Sequence, residues 1–383
     1  MPLRLRDVTG RLDDMYPQAW AADWDAVGLV CGDPDQEVRR VMFAVDPVPA
    51  VVEEALAWGA DLLVVHHPLL LTPVSSVAAD SPKGCTLHRL VREGCALFTA
   101  HTNADAPSDG VNESLALALG IVDPAVIAPE GDGDASATVN KIVTFAPHED
   151  AGRIRDAMTS AGAGRIGDYD SCTFTVEGEG RFRPLDGATP AVGRVGEVEV
   201  VAESRIEAVV PRDRRDAVVA ALRAVHPYEE PAYDVLELVT PPQGRPTRGH
   251  GRIGRLAEPT TLRGFAEQVR RALPESPHGV RVAGDPDRPV ETVAVTSGAG
   301  DFLLDTVLGT GADVYVTSDL RHHRAGEFLE HGGPSLVDVA HWSAEWTWLP
   351  VVERKLLERL AERGDTVDTH VSTTCTDPWT FRL

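Results

Sequence analysis

Short apolar runs alternate with helix-length amphipathic stretches at both ends of the chain. Val41-Met42-Phe43-Ala44-Val45, Leu62-Leu63-Val64-Val65 and Ala96-Leu97-Phe98-Thr99 are strand-sized and almost wholly apolar, and helical patterning falls near 48–58, 86–93 and 111–119. Parallel strands need crossover connections, which helices supply, and strands covered on both faces read as continuous apolar runs. The alternation therefore predicts a buried, largely parallel α/β sheet. The same grammar returns late in the chain, with strands at Thr292-Val293-Ala294-Val295, Asp313-Val314-Tyr315-Val316 and Leu336-Val337-Asp338-Val339 and helices near 301–309 and 342–363.

Between these regions the texture changes. It does so at Pro129-Glu130-Gly131-Asp132-Gly133-Asp134-Ala135 and again at Pro241-Pro242-Gln243-Gly244-Arg245-Pro246, both with the composition of flexible boundaries. They divide the chain into 1–130, 131–246 and 247–383, with the first and last parts forming one α/β domain around an inserted one. Inside the insert, a strand at 141–145 precedes a helix near 150–161, Gly-rich turns follow, and a strand at 205–210 precedes a helix near 212–225. This reads as a small βαβ-type α+β unit.

Composition narrows the function classes. At 383 residues the chain is long enough for several cores. Its balance of 43% hydrophobic and 25% charged residues is that of a soluble globular protein. A formal charge of −23 repels phosphate backbones and anionic bilayers, which excludes nucleic acid and membrane as expected partners. The N-terminus lacks a signal peptide's apolar core and no stretch is long enough to span a bilayer, so a cytoplasmic location is expected. Five cysteines, odd in number and without a Cys-x-x-Cys pair, indicate neither a disulfide framework nor a zinc ribbon and are expected in the core.

The candidate chemistry sits at strand ends. His66-His67-Pro68 follows the run ending at Val65, at the carboxyl edge where open α/β sheets place their sites, although it also fits a surface turn. His101 and Asp105 follow the next run, in a stretch that equally fits an Asx turn. His341 and Glu345 stand four apart where a strand passes into a helix, which stacks them on one face as a chelate requires; an ordinary exposed helix face is the alternative. Three strand ends that all supply imidazole and carboxylate point to a shared metal site. Donors of nitrogen and oxygen without thiolate favour zinc, manganese or ferrous iron, and six of them suit two ions with a bridging carboxylate.

These segments resemble the Nif-three-like family, the GTP cyclohydrolase 1 type 2 homologues. Trp24-Asp25-Ala26-Val27-Gly28-Leu29, the His66-His67-Pro68 turn, His101 to Asp105, Asp313 to Asp319 leading to His322-His323, and His341 to Glu345 match in order over nearly the whole chain. Ala161 to Gly167 and His226-Pro227-Tyr228-Glu229-Glu230-Pro231 resemble the extra domain of the longer members, which is similar to PII and CutA folds. The resemblance implies an α/β sandwich with a dinuclear metal site, interrupted by a PII/CutA-like insert. It places the metal ligands on His66, His67, Asp105, His341 and Glu345, with Glu345 as bridge and His101 lining or completing the site. Two small departures, Ser318 and Ala340 where glycines are usual, remove no ligand. The resemblance further implies a toroidal homohexamer with its metal sites facing an internal cavity.

The expected function is metal-dependent hydrolysis. Two divalent ions per chain, zinc ahead of iron or manganese, would activate water, and His101 or His323 would move the proton. The substrate would be nucleotide-like, a cyclic amide or a phosphoester, and the family name suggests guanine ring opening by water at C8. The alternative is a non-catalytic, metal-responsive hexameric binding or scaffold protein. His322 and His323 serve equally as a helix start, the His226 motif as a rigid turn between two prolines, and Gly298-Ala299-Gly300 as a plain strand-to-helix turn.

Overall fold

The computed structural model describes residues 2–129, 139–166, 169–238 and 247–383. Both segments read as flexible boundaries fall largely outside them. The chain forms two compact units, one from Met1–Glu130 with Pro246–Leu383, the other from Gly131–Arg245. Among the described residues the strands before the insert are β1 (Gly28–Cys31), β2 (Arg40–Ala44), β3 (Leu62–Val65), β4 (Ala96–Thr99) and β5 (Ile121–Pro129). The insert carries β6 (Val139–Pro147), β7 (Thr173–Phe182), β8 (Glu199–Pro211) and β9 (Tyr233–Glu237). After it come β10 (Gly249–Thr261), β11 (Arg281–Ala283), β12 (Pro289–Ala299), β13 (Val314–Ser318), β14 (Ser335–Asp338) and β15 (Asp368–Val371).

The first unit contains two sheets rather than one. The order β1-β4-β3-β2-β15 is parallel except for β1, whereas β11-β14-β13-β12-β10-β5 is parallel only across β12, β13 and β14. The antiparallel half escaped the sequence pattern because β10 is glycine-rich and carries a buried arginine, Arg252, where an apolar residue would signal a strand.

Strand parity explains the burial. In the five-stranded sheet Val41, Phe43, Leu62, Val64 and Phe98 pack with helices Leu5–Met15 and Leu349–Ala361. Their neighbours Met42, Leu63, Val65 and Leu97 face helices Pro49–Trp58 and Pro82–Arg92. The six-stranded sheet repeats the scheme, with Val293, Val314 and Val337 beneath helix Leu262–Ala272 and Ala294, Tyr315 and Leu336 against Leu304 and Phe328. Both faces are covered, so the parallel strands read as unbroken apolar runs.

The second unit is a four-stranded sheet of order β7-β8-β6-β9 with every neighbouring pair antiparallel. β6 and β7 run parallel with β8 between them, which is the split βαβ of a ferredoxin-like arrangement. The region read as Gly-rich turns in fact contains β7, whose Gly178 and Gly180 masked the strand pattern. Helices Ala151–Ser160 and Arg215–Val225 cover one face through Ile154, Met158, Val218 and Leu222.

The cysteines depart from expectation. Only Cys95 is buried; Cys31 and Cys172 are half-buried, and Cys85 and Cys375 are exposed, on an outward helix position and in the C-terminal segment. No described helix is long and apolar enough to cross a membrane.

Candidate metal centre

All the strands that feed the cluster are parallel members of their sheets, and they deliver residues from their carboxyl ends. β3 leads into His66 and His67, β4 into His101 and the short helix Thr102–Asp105, β14 into His341 at the start of helix His341–Trp346. The difficulty of two adjacent histidines sharing one cavity is solved by a bend. The amides of His66 and His67 both donate to the carbonyl of Val45, at 3.1 and 2.9 Å, which breaks strand alternation and brings the two rings to 5.0 Å.

Each imidazole is anchored through Nδ1. His66 bonds the Ala100 carbonyl at 2.9 Å, His67 bonds Asp46 at 2.7 Å, His101 bonds Asp25 at 2.8 Å and His341 bonds Asp319 at 2.6 Å. An acceptor at Nδ1 fixes the tautomer and leaves the Nε2 lone pair for whatever lies at the centre, the usual support of a metal-bound histidine. The Nε2 atoms of His341, His67 and His66 lie 2.7, 3.1 and 3.6 Å from carboxylate oxygens of Glu345, and Asp105 lies 3.7 Å from His66 Nε2. Donor atoms of His66, His67 and His101, and of His67, His341 and Glu345, each fall within 4.8 Å of one another.

Electrostatics show what the cluster lacks. Glu345 is 3% exposed, and although burial works to raise its pKa, His341, His67 and His66 hold it well below the usual carboxylate range. Burial likewise opposes charge on His341, but Glu345 and Asp319 outweigh it and bring its pKa to about 10; His66 and His67 are also raised against their burial, His66 by Glu345 and Asp105 and His67 by Glu345 and Asp46. Asp105 is pushed up by its burial. His66 Nε2 and Glu345 Oε2 are buried without a properly aligned hydrogen bond, even though His67 Nε2 stands 3.1 Å from that oxygen. Buried polar atoms left in this state are costly unless something occupies the centre. The residues present fit a divalent cation, which would take the Nε2 lone pairs, balance the charge of Glu345 and satisfy both orphaned atoms.

Several contributors had a weaker signal or none in the sequence. Asp25, Asp46 and Asp319 each orient one imidazole, yet single aspartates near strand ends are common. Gly298, with φ of +64°, leaves space that a Cβ would close, at 2.7 Å from Glu345 Oε1 and 3.0 Å from His341 Nε2. Arg252, fully buried, donates to the carbonyls of Ala106, Pro107, Gly249 and Gly251 and to Glu113, and so clamps the loop that follows Asp105. His323 is exposed at the start of helix His322–Glu330 and makes a ring contact with His322; the structure does not group it with the other donors.

The fold and cluster define a two-sheet α/β protein that gathers imidazoles and carboxylates at strand ends into a group able to hold metal. A family model described as Duf34/NIF3 (NGG1p interacting factor 3) matches residues 3–378, and the chain belongs to that family. It is 50% identical over 379 residues to a Mycobacterium tuberculosis protein called GTP cyclohydrolase 1 type 2 homolog, covering 99% of this chain and 97% of that one. A Bacillus subtilis protein of the same name is 37% identical over 369 residues, covering 96% of each. Among solved structures, a Bacillus cereus protein related to NIF3 superposes with a TM-score of 0.68 at 36% identity, over the whole of both chains.

Proposed function

We propose that the chain binds two divalent cations at this cluster and hydrolyses there a nucleotide-like, cyclic amide or phosphoester substrate. The observation that carries the reading is the anchoring of four histidines through Nδ1, three of them with Nε2 turned on one buried carboxylate. Two donor groups lie within reach of an ion, His66, His67 and His101 in one and His67, His341 and Glu345 in the other, with Asp105 3.7 Å from His66 Nε2; of these, His66, His67, Asp105, His341 and Glu345 would hold the ions. The donor set suits zinc ahead of iron or manganese. Bound ions supply Lewis acidity that activates water and polarises a substrate oxygen at neutral pH.

The chain's own groups do the rest. His101, held by Asp25, holds and moves a proton at the rim. Trp24, 61% exposed and edge-on to His101 at 5.9 Å, offers a flat apolar surface to a planar substrate. Guanine ring opening by attack at C8 stands first among reactions to test, since relatives are named for GTP cyclohydrolase. A toroidal homohexamer is the assembly we propose, with a mass measurement as its check.

The test combines metal analysis with turnover. The full chain, loaded in turn with zinc, manganese and iron, is expected to hold two ions and to turn over GTP or a member of a phosphoester and cyclic amide panel. Glu345→Gln should lose ions and turnover together, whereas His101→Gln should keep both ions and lose turnover. Fewer than two ions in the wild type overturns the site. A full metal load with no turnover on any substrate overturns the enzyme and favours a metal-responsive scaffold.

A further inference from the structure

The insert contains a second, unrelated site. A cavity of about 870 Å³ lies within this unit, bounded by β7, the following loop to Val192, Glu203 and Arg205 of β8, and the segment Tyr228–Ala232. That volume suits a small-molecule ligand. Six carboxylates and three guanidinium groups line it, a balance that repels anions.

Its centre is Glu203, only 9% exposed. Among the described residues its one hydrogen bond comes from the Tyr228 hydroxyl, 2.7 Å from Oε1, and no cation pairs with it. The basic groups of the sheet's described strands that lie nearby are engaged elsewhere, since Lys141 and Arg205 both pair with Glu207, at 2.9 and 2.8 Å, and Arg181 pairs with Glu179 at 3.7 Å. A buried carboxylate with one phenol for company is under-compensated and leaves Oε2 open to a donor.

The surroundings keep that oxygen accessible. Gly180 lies where a Cβ would come within 2.0 Å of Glu203 Oε2, and a Cβ at Gly178 would meet nothing within 4 Å. Glycines inside a strand weaken it, and one reason to keep them is close approach of a ligand. The His226-Pro227-Tyr228 turn aims the phenol: His226 Nε2 donates to the Phe145 carbonyl at 3.0 Å, and its Nδ1 accepts the Tyr228 amide at 3.1 Å. Phe182, with its ring centroid 6.1 Å from that of Tyr228, supplies apolar wall, and the Thr189 amide donates to Glu229 at 3.0 Å to tie the loop down.

We propose that this cavity binds a small organic cation, a protonated amine or amidine on a flat apolar body, with Glu203 as its counter-ion and Tyr228 holding Glu203 in place. The metal cluster plays no part in the proposal. The test is calorimetric titration of the full-length protein with benzamidine and phenethylamine, beside benzoate and benzyl alcohol as anionic and neutral probes. The cations should bind and the other two should not. Glu203→Gln should weaken cation binding by about tenfold or more, the factor of a lost hydrogen bond to a charged group. Gly178→Leu, which fills the cavity beside Glu203 while keeping its carboxylate, should abolish it, with circular dichroism confirming that both variants fold. Equal binding of benzyl alcohol, unchanged affinity in Glu203→Gln, or no binding of either cation at millimolar concentration overturns the proposal. So does markedly tighter binding of a capped arginine peptide than of any free cation, which would place the guanidinium on a protein partner.

Discussion

The histidine cluster and the insert cavity are both built around a buried glutamate, but they treat it in opposite ways. Glu345 is surrounded by three imidazoles, each tied down on its far side by an aspartate or a carbonyl. Glu203 has a single phenol and open volume. A small divalent cation is bound by donors that cannot move, so its site is over-determined from several strand ends at once. A larger organic cation needs room more than rigidity. The difference teaches that supporting structure, rather than the carboxylate itself, decides what each glutamate can hold.

The largest effect expected is on stability. Arg252→Met removes the guanidinium from the half-buried Glu113 and from the carbonyls of Ala106, Pro107, Gly249 and Gly251, of which Ala106 and Pro107 keep a backbone donor, and removing one partner from such a network costs about 3 kcal/mol. Chemical denaturation followed by tryptophan fluorescence, whose seven reporters all lie outside the insert's 131–245, should show the loss. A variant as stable as the wild type would show that the clamp is dispensable.

Next comes Gly298→Ala. The substitution puts a methyl group against Glu345 and His341 at a backbone angle that L-residues avoid, so it should reduce metal affinity by about a hundredfold or more, beyond the range of a support residue. Asp46→Asn and Asp319→Asn act one step out and should cost about 10- to 100-fold each in metal affinity while leaving the fold intact. Competition with a chromophoric chelator measures all three. Unaltered affinity in both aspartate variants would remove the distinction drawn between the two glutamates.

The legible part of the molecule follows the same logic. Strands β2, β3, β4, β13 and β14 announced themselves because covered parallel strands are apolar throughout, and the ligand-type residues His66, His67, His101, Asp105, His341 and Glu345 were legible because they interrupt such runs abruptly. The rest was hidden for physical reasons. β7 and β10 trade side chains for glycine or bury an arginine, so period-two patterning fails. Asp25, Asp46 and Asp319 are ordinary loop aspartates until a ring nitrogen is placed beside them. Glu203 reads as one more exposed glutamate in an acidic chain, and only the tertiary fold shows that it is buried. His323, expected either to move a proton or to start a helix, lies exposed at the start of helix His322–Glu330.

The smallest effect expected concerns acid. Glu54 is worked on by burial, which raises its pKa, but hydrogen bonds from Ser372, His370 and Thr374 outweigh that and bring it below the ordinary carboxylate value. A lowered folded pKa means stability that is complete above the unfolded value, about 4.3, and is lost as pH falls through the lower folded value. The same C-terminal segment reaches the cluster, since the Thr376 hydroxyl donates to Asp46, the residue that orients His67. Hydrogen-exchange protection of residues 370–376, taken relative to the intrinsic rate at each pH, should therefore fall below about pH 4, and in Glu54→Gln it should be low already at neutral pH. Thr376→Val should lower metal affinity only a few-fold, less than Asp46→Asn, because it loosens the support of a support. The cavity at Glu203 is lined by residues of the insert alone, so cation binding there should be indifferent to both substitutions. If either one weakens it, the two sites are not separately supported and the contrast between them fails.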